Sequence, residues 1–273
     1  MRAFASAAPV VAGILFLCGL LTPAHAEPVT DTSVPPGVEV EVRGGAFLID
    51  LVRINGSEQL FEADVVLRFT WKDPRLADSE AVTRTMPLDG VWNPGLAIAN
   101  LRAAKTTLPD NVEVQADGTV IYRQRMIGTF SSDLDLHDFP LDSQTIALHV
   151  ICRRHETGEV RLVPDPEMIG RSERLTISDW EIGPVELQEE VYAVPQLSAE
   201  LPGLVLSFGA KRLVGYYIAT IFASAAIILT MAWLVFWLPP EAVNPRVSVS
   251  VTSMLTLIAH RFVIGGDLPR LPY

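Results

Sequence analysis

A β-sandwich carried outside the cytoplasm and followed by two membrane-spanning helices is the architecture this sequence predicts. Three observations point to it. Residues 1–26 have the makings of an export signal. Residues 27–212 alternate apolar and polar side chains with a period of two. Two long apolar runs then follow, at about 213–238 and 246–265.

The first 26 residues open with Arg2, continue through the apolar core VVAGILFLCGLL, and offer small residues for cleavage at Ala24-His25-Ala26, before Glu27. A lipoprotein signal using Cys18 is disfavoured, because bulky Leu17 stands where a small residue is wanted. Cleavage leaves Cys152 as the one remaining cysteine, so the exported part must fold without an internal disulfide.

Within residues 27–212 the strand signals are explicit. In FEADVVLRFTW, the residues Phe61, Ala63, Val65, Leu67, Phe69 and Trp71 share one face, and Glu62, Asp64, Arg68 and Thr70 the other. VEVQADGTVIYRQRM reads as a hairpin turning at Asp117-Gly118. TIALHVIC places Ile146, Leu148, Val150 and Cys152 together. Short strands punctuated by Pro and Gly, with no helical period, imply one all-β, immunoglobulin-like sandwich or barrel.

The run 213–238 contains no charged residue and is long enough for the roughly 20 residues a bilayer crossing needs. Tyr216 and Tyr217 at one end and Trp233 and Trp237 at the other suit the two interfaces. The second run carries Ser, Thr, His260 and Arg261, so it fits a helix with one wet or protein-covered face.

Several function classes are argued against. A net charge of −11 (21 Lys and Arg against 32 Asp and Glu) disfavours nucleic acid. The histidines show no metal-ligand spacing, and neither a nucleophile elbow nor a phosphate loop is present, so an enzyme, a metal site and a cofactor are not expected. The stretch SSDLDLHDFPLDSQT, at 131–145, packs Asp133, Asp135, Asp138 and Asp142 together but lacks the glycine and final glutamate of a calcium loop.

From about Val38 onward, a series of segments in fixed order resembles the pentameric ligand-gated ion channels, and among them the Erwinia-type bacterial branch. WKDPRL at 71–76, WNPGL at 92–96, the loop at 117–145, VFWL at 235–238, the polar helix from Arg246 and LPRLPY at 268–273 carry that resemblance. It implies a ligand-binding β-domain at 27–212 in the periplasm, a first span at 213–238 and a pore-lining helix at 246–265. Residues 266–273 would begin a linker to an absent third helix in a chain truncated after its second span. Such a chain is expected not to conduct alone. The implied partners are a small-molecule agonist, inorganic ions, the bacterial inner membrane, and either four identical copies or full-length subunits. A membrane-tethered periplasmic binding protein without channel activity is the alternative.

The resemblance also assigns candidate residues. In eukaryotic relatives the 131–145 loop is closed by a disulfide; here Ser132 and Ile146 occupy those positions. The loop is expected against the membrane helices, with Phe139-Pro140 a candidate cis step and Asp142 facing Arg212 as part of a coupling joint. A simple cap of the turn by Asp142 competes with that role. Ser248, Thr252, Leu255, Ala259 and Phe262 recur every three to four residues and would line the pore, although a core helix could show the same pattern. Pro245 stands where cation-selective relatives carry glutamate, and the charge preference stays open. At the ligand site Tyr192 matches an aromatic, Arg153 and a neighbouring subunit's Arg123 bring positive charge, and Ala97 and Ile151 replace the amine-gripping carboxylates. A carboxylate or neutral ligand is therefore expected, rather than a primary amine.

Overall fold

The alternation in the exported part becomes two packed sheets, and the residues predicted to share a face do so. The computed structural model describes residues 34–37, 39–78, 82–194, 199–215 and 218–267. The expected export signal, the linker residues 268–273, and Tyr216 and Tyr217 lie outside the described residues.

The strands are β1 (Val40–Asn55), β2 (Leu60–Lys72), β3 (Arg84–Pro87), β4 (Leu96–Ile98), β5 (Leu101–Thr106), β6 (Asn111–Val114), β7 (Thr119–Ser131), β8 (Ser143–Cys152), β9 (Val160–Arg171), β10 (Trp180–Val194) and β11 (Ala199–Arg212). The larger sheet runs β3-β6-β7-β2-β1-β9, with β5 also paired to β7, and the smaller runs β10-β11-β8-β4. All pairings are antiparallel except that of β1 with β9.

Phe61, Ala63, Val65, Leu67, Phe69 and Trp71 of β2 are all buried, as are Ile146, Leu148, Val150 and Cys152 of β8. With Leu204, Leu206 and Phe208 of β11 they form the core between the sheets. Burying apolar surface at roughly 25 cal/mol per Å² makes this face the main source of stability, and it fixes the register, since a one-residue slip would turn the apolar set outward.

The predicted Asp117-Gly118 turn joins β6 to β7, with Gly118 at φ +81. The turn also docks on a distant motif. The Asp73 N–H donates to the Gly118 carbonyl at 2.9 Å, and a Cβ on Gly118 would stand 2.5 Å from the Asp73 carbonyl oxygen. Asp73 is itself fully buried, accepting from the Arg75 Nε at 2.9 Å and Nη2 at 2.8 Å. Gly118→Ala is therefore expected to destabilise the β-domain by about 1–3 kcal/mol from backbone strain, with the clash adding to it. Thermal unfolding of the full chain in detergent measures this.

Beyond β11 the expectation of one long helix over 213–238 needs correction. The chain forms a π-helical turn (Ile218–Phe222), α1 (Ala223–Leu234) and a 3₁₀ turn (Val235–Trp237) in direct succession. The stop at Leu238 follows from Pro239, which disfavours helical geometry in the residue before it. The second helix, α2 (Val243–Asp267), extends three and two residues beyond the expected 246–265. No single helix among the described residues is long and apolar enough to cross a membrane. α1 falls short in length, and α2 carries Arg246, Arg261 and several hydroxyls. The three pieces from Ile218 to Trp237 nonetheless form one helical path, which at 1.5 Å per residue reaches about 30 Å, the thickness of a hydrocarbon core. Apart from Thr220, Ser224 and Thr230 its residues are apolar, and Phe222, Ile227, Leu229, Trp233, Leu234, Phe236 and Trp237 are exposed in the single chain.

Candidate functional site

Where β11 ends and the chain turns toward the helices, the acidic loop supplies one buried carboxylate. Leu134 and Leu136 anchor the loop in the core, Leu141 is 73% exposed at its tip, and the Phe139-Pro140 bond is cis. Of its four aspartates, Asp133, Asp135 and Asp138 are exposed, while Asp142 is buried. Arg212, also buried, donates to both Asp142 oxygens, from Nε at 2.7 Å and Nη2 at 3.0 Å. The Arg212 backbone N–H adds a bond to the Asp142 carbonyl at 3.2 Å.

Two rings complete the joint. The guanidinium carbon lies 4.0 Å from the Trp180 ring centroid and 4.9 Å from that of Phe139. Gln144 Nε2 donates to Asp142 Oδ2 at 2.7 Å and its Oε1 accepts from the Asp135 N–H at 3.0 Å, so one side chain holds both ends of the loop. Burial alone would push the Asp142 carboxyl up, but the bonds from Arg212 and Gln144 outweigh it and hold the group below its ordinary value. Trp180 and Gln144 were not among the residues singled out from sequence. Trp180 lies across from Arg212 in the β10–β11 ladder, a register the sequence does not display.

The three ligand-site candidates occupy different places in the single chain, and no contact joins them. Tyr192 lies on the outer face of the smaller sheet, its ring 6.3 Å from that of His149. His149 Nδ1 is 2.7 Å from the Glu190 carboxylate, a half-buried pair that sequence reasoning missed. Glu190 and Tyr192 are two apart on one strand and so share a face, but only the β8–β11–β10 order brings His149 to them.

Arg123 lies opposite Arg68 in the β2–β7 register, pointing away from the core. It pairs with Glu113 at 2.6 Å, and that bond is the main reason the Glu113 carboxyl lies below its ordinary value. Arg153 follows the last residue of β8. Its backbone N–H donates to the Gly95 carbonyl at 3.1 Å, while its guanidinium has no carboxylate partner among the described residues. Ala97 and Ile151, the positions that lack acids, pair across β4 and β8.

On α2, Ser253 is buried and His260 is hydrogen-bonded to Ser224 of α1. Arg246, Val249, Ser253 and His260 thus mark the face toward α1 and the chain before it, with Arg246 donating to the Leu238 carbonyl. Ser248, Thr252, Leu255, Ala259 and Phe262 fall roughly on the opposite side of the helix and are all exposed, Phe262 by 80%. No cluster of three or more metal-ligating side chains exists among the described residues.

Comparison with known proteins adds a family. The sequence model described as neurotransmitter-gated ion-channel ligand binding domain matches residues 23–208, and that described as neurotransmitter-gated ion-channel transmembrane region matches residues 224–273. The chain is similar to a proton-gated ion channel of Gloeobacter violaceus, 27% identical over 255 residues, covering 88% of this chain and 68% of that one. It is 26% identical over 252 residues to the human gamma-aminobutyric acid receptor subunit rho-2, and 25% identical over 257 residues to human rho-1. Each match covers 88% of this chain but only 53% and 51% of the receptor subunits, so the chain spans about half their length.

Proposed function

We propose, for a chain that belongs to the neurotransmitter-gated ion-channel family, that it is a subunit of a pentameric ligand-gated channel of a bacterial inner membrane. The β-domain faces the periplasm and takes a small-molecule agonist between adjacent copies. Ions pass along α2 past Ser248, Thr252, Leu255, Ala259 and Phe262. Pro140, Asp142 and Arg212 form the joint that links the two halves, and the agonist is a carboxylate or a neutral molecule.

The observation that carries the reading is the division of α2 into two sides. One side is turned to α1 through Ser253 and His260, and the other is left uncovered with hydroxyls at one end and Leu255 and Phe262 toward the other. A ring of copies gives the uncovered side a lumen, where hydroxyls replace water around ions and apolar rings gate by dewetting. Tyr192 and Arg123 support the agonist position, since they lie on the outer faces of different sheets and a neighbouring copy is needed to bring them together. For the ligand class, Ala97 and Ile151 supply no negative charge, and an ammonium would meet Arg153 instead.

Cysteine crosslinking of the full chain in mild detergent tests this proposal. Leu255→Cys should trap copies against one another around the axis, and Ser253→Cys should not. Native mass spectrometry should show five-fold assembly. A chain that stays monomeric, or one that crosslinks equally at both positions, overturns the reading.

A further inference from the structure

The acidic loop between β7 and β8 is gripped from two sides by glutamine side chains. Residues 132–136 belong to no strand, so no ladder serves the backbone of Leu134 and Asp135, although the Leu134 side chain is buried. Gln59, in the turn between β1 and β2, supplies the partners for Leu134. Its Oε1 accepts from the Leu134 N–H at 2.5 Å, and its Nε2 donates to the Leu134 carbonyl at 3.1 Å. Gln144, the second residue of β8, does the same for Asp135. Its Oε1 accepts from the Asp135 N–H at 3.0 Å, and its Nε2 donates to the Asp135 carbonyl at 2.5 Å. Each amide uses its second N–H elsewhere, Gln59 on the Gly56 carbonyl at 3.2 Å and Gln144 on Asp142 Oδ2 at 2.7 Å. Both donors of each amide are thereby committed.

Gln59 is unusual in its backbone as well. At φ +56 it is the one non-glycine residue with positive φ among the described residues. Glycine or asparagine suits that left-handed conformation better than glutamine does. Neither could make the clamp, since glycine has no side chain and asparagine is one methylene shorter. The Gln59 carbonyl also accepts from the Ser132 N–H at 2.9 Å, so the turn holds the loop by backbone and side chain together. An unbroken hydrogen-bonded path then runs from this turn of the larger sheet through Leu134, Asp135, Gln144 and Asp142 to Arg212.

We propose that Gln59 is a positioning residue for the Asp142–Arg212 joint. It ties that ion pair, which belongs to the smaller sheet, to the β1–β2 turn of the larger one, through two backbone units of the acidic loop. Gln144 receives the tie on the side of the joint. Hydrogen bonds open and re-form, so the hold of the larger sheet on the joint is reversible. The proposal deepens the reading of Pro140, Asp142 and Arg212 as the link between the two halves, and its test needs neither a pore nor an agonist.

Hydrogen exchange of the full chain in mild detergent, read by mass spectrometry on segments 132–136 and 210–213, tests it. Gln59→Asn keeps a residue at ease with the turn but cannot span from Gly56 to Leu134. Exchange should rise about tenfold in 132–136, the loss expected for roughly one net hydrogen bond. It should rise similarly at the Arg212 N–H, which donates to the Asp142 carbonyl at 3.2 Å. Protection in β2 and β7 should stay as it was. Gln59→Gly, which the backbone accepts without strain, should reproduce this result and guards against a folding defect peculiar to asparagine. Gln144→Ala should also speed exchange at Arg212. Because the two clamps act in series, Gln59→Asn with Gln144→Ala should speed it no more than the larger single effect. Unchanged exchange at Arg212 in both Gln59 variants, effects that multiply in the double variant, or an equal rise throughout β2 and β7 each overturns the proposal. Failure of the chain to assemble would count against the channel reading alone.

Discussion

Replacing Asp142 with asparagine or Arg212 with glutamine is expected to lower the stability of the β-domain by about 3–5 kcal/mol each, because either change strands a buried group made for a charged partner. The two residues bond through both carboxylate oxygens and are almost fully buried, with Trp180 and Phe139 stacked on the guanidinium. The double replacement should cost clearly less than the sum of the two singles. Denaturant or thermal unfolding of the four proteins, as full chains in detergent, gives the cycle, and strict additivity would show that the contact contributes nothing of its own. The pH dependence has a defined sign. The folded-state value of Asp142 lies below its unfolded value of about 3.9. Its contribution is therefore fully present above pH ~4 and is lost as pH falls through the lower, folded value. Asp142→Asn should flatten the stability curve in that acid range and leave its shape near neutrality unchanged.

Trp92→Ala should cost a comparable amount, about 3–5 kcal/mol, through the cavity it opens. Trp92 is 1% exposed, meets Trp71 edge-on at 6.1 Å between ring centroids, and has the His155 ring at 5.4 Å. Its indole N–H has no hydrogen-bond partner among the described residues. Trp92→Phe should therefore lose much less than half as much, since it gives up volume but no hydrogen bond. If Phe proves as damaging as Ala, the indole N–H has a role that packing does not supply. Chemical denaturation of both variants separates the two outcomes.

Strand faces were legible because a two-residue period has only two sides. Once Phe61 to Trp71 alternate with mostly polar residues, the buried side is fixed. The Asp117-Gly118 turn was legible for the same local reason, its need for positive φ. The two apolar runs showed where the helices lie but not how the first divides, because composition carries no signal for a π-helical turn at Ile218–Phe222. Resemblance named Asp142 and Arg212 together, yet the sequence offered no sign of Trp180, Phe139 and Gln144 closing around them.

The sequence by itself determined the order of the chain: β-domain first, helices after, with the apolar faces and the family motifs in place. Tertiary structure alone decided which distant residues meet. It put Glu113 against Arg123, set His149 beside Glu190 and Tyr192, and left the Arg153 guanidinium with no carboxylate partner among the described residues. Periodicity reports which side of a strand a residue faces, a local property. A pairing across sheets depends on strand order and register, which follow from burying the whole core at once.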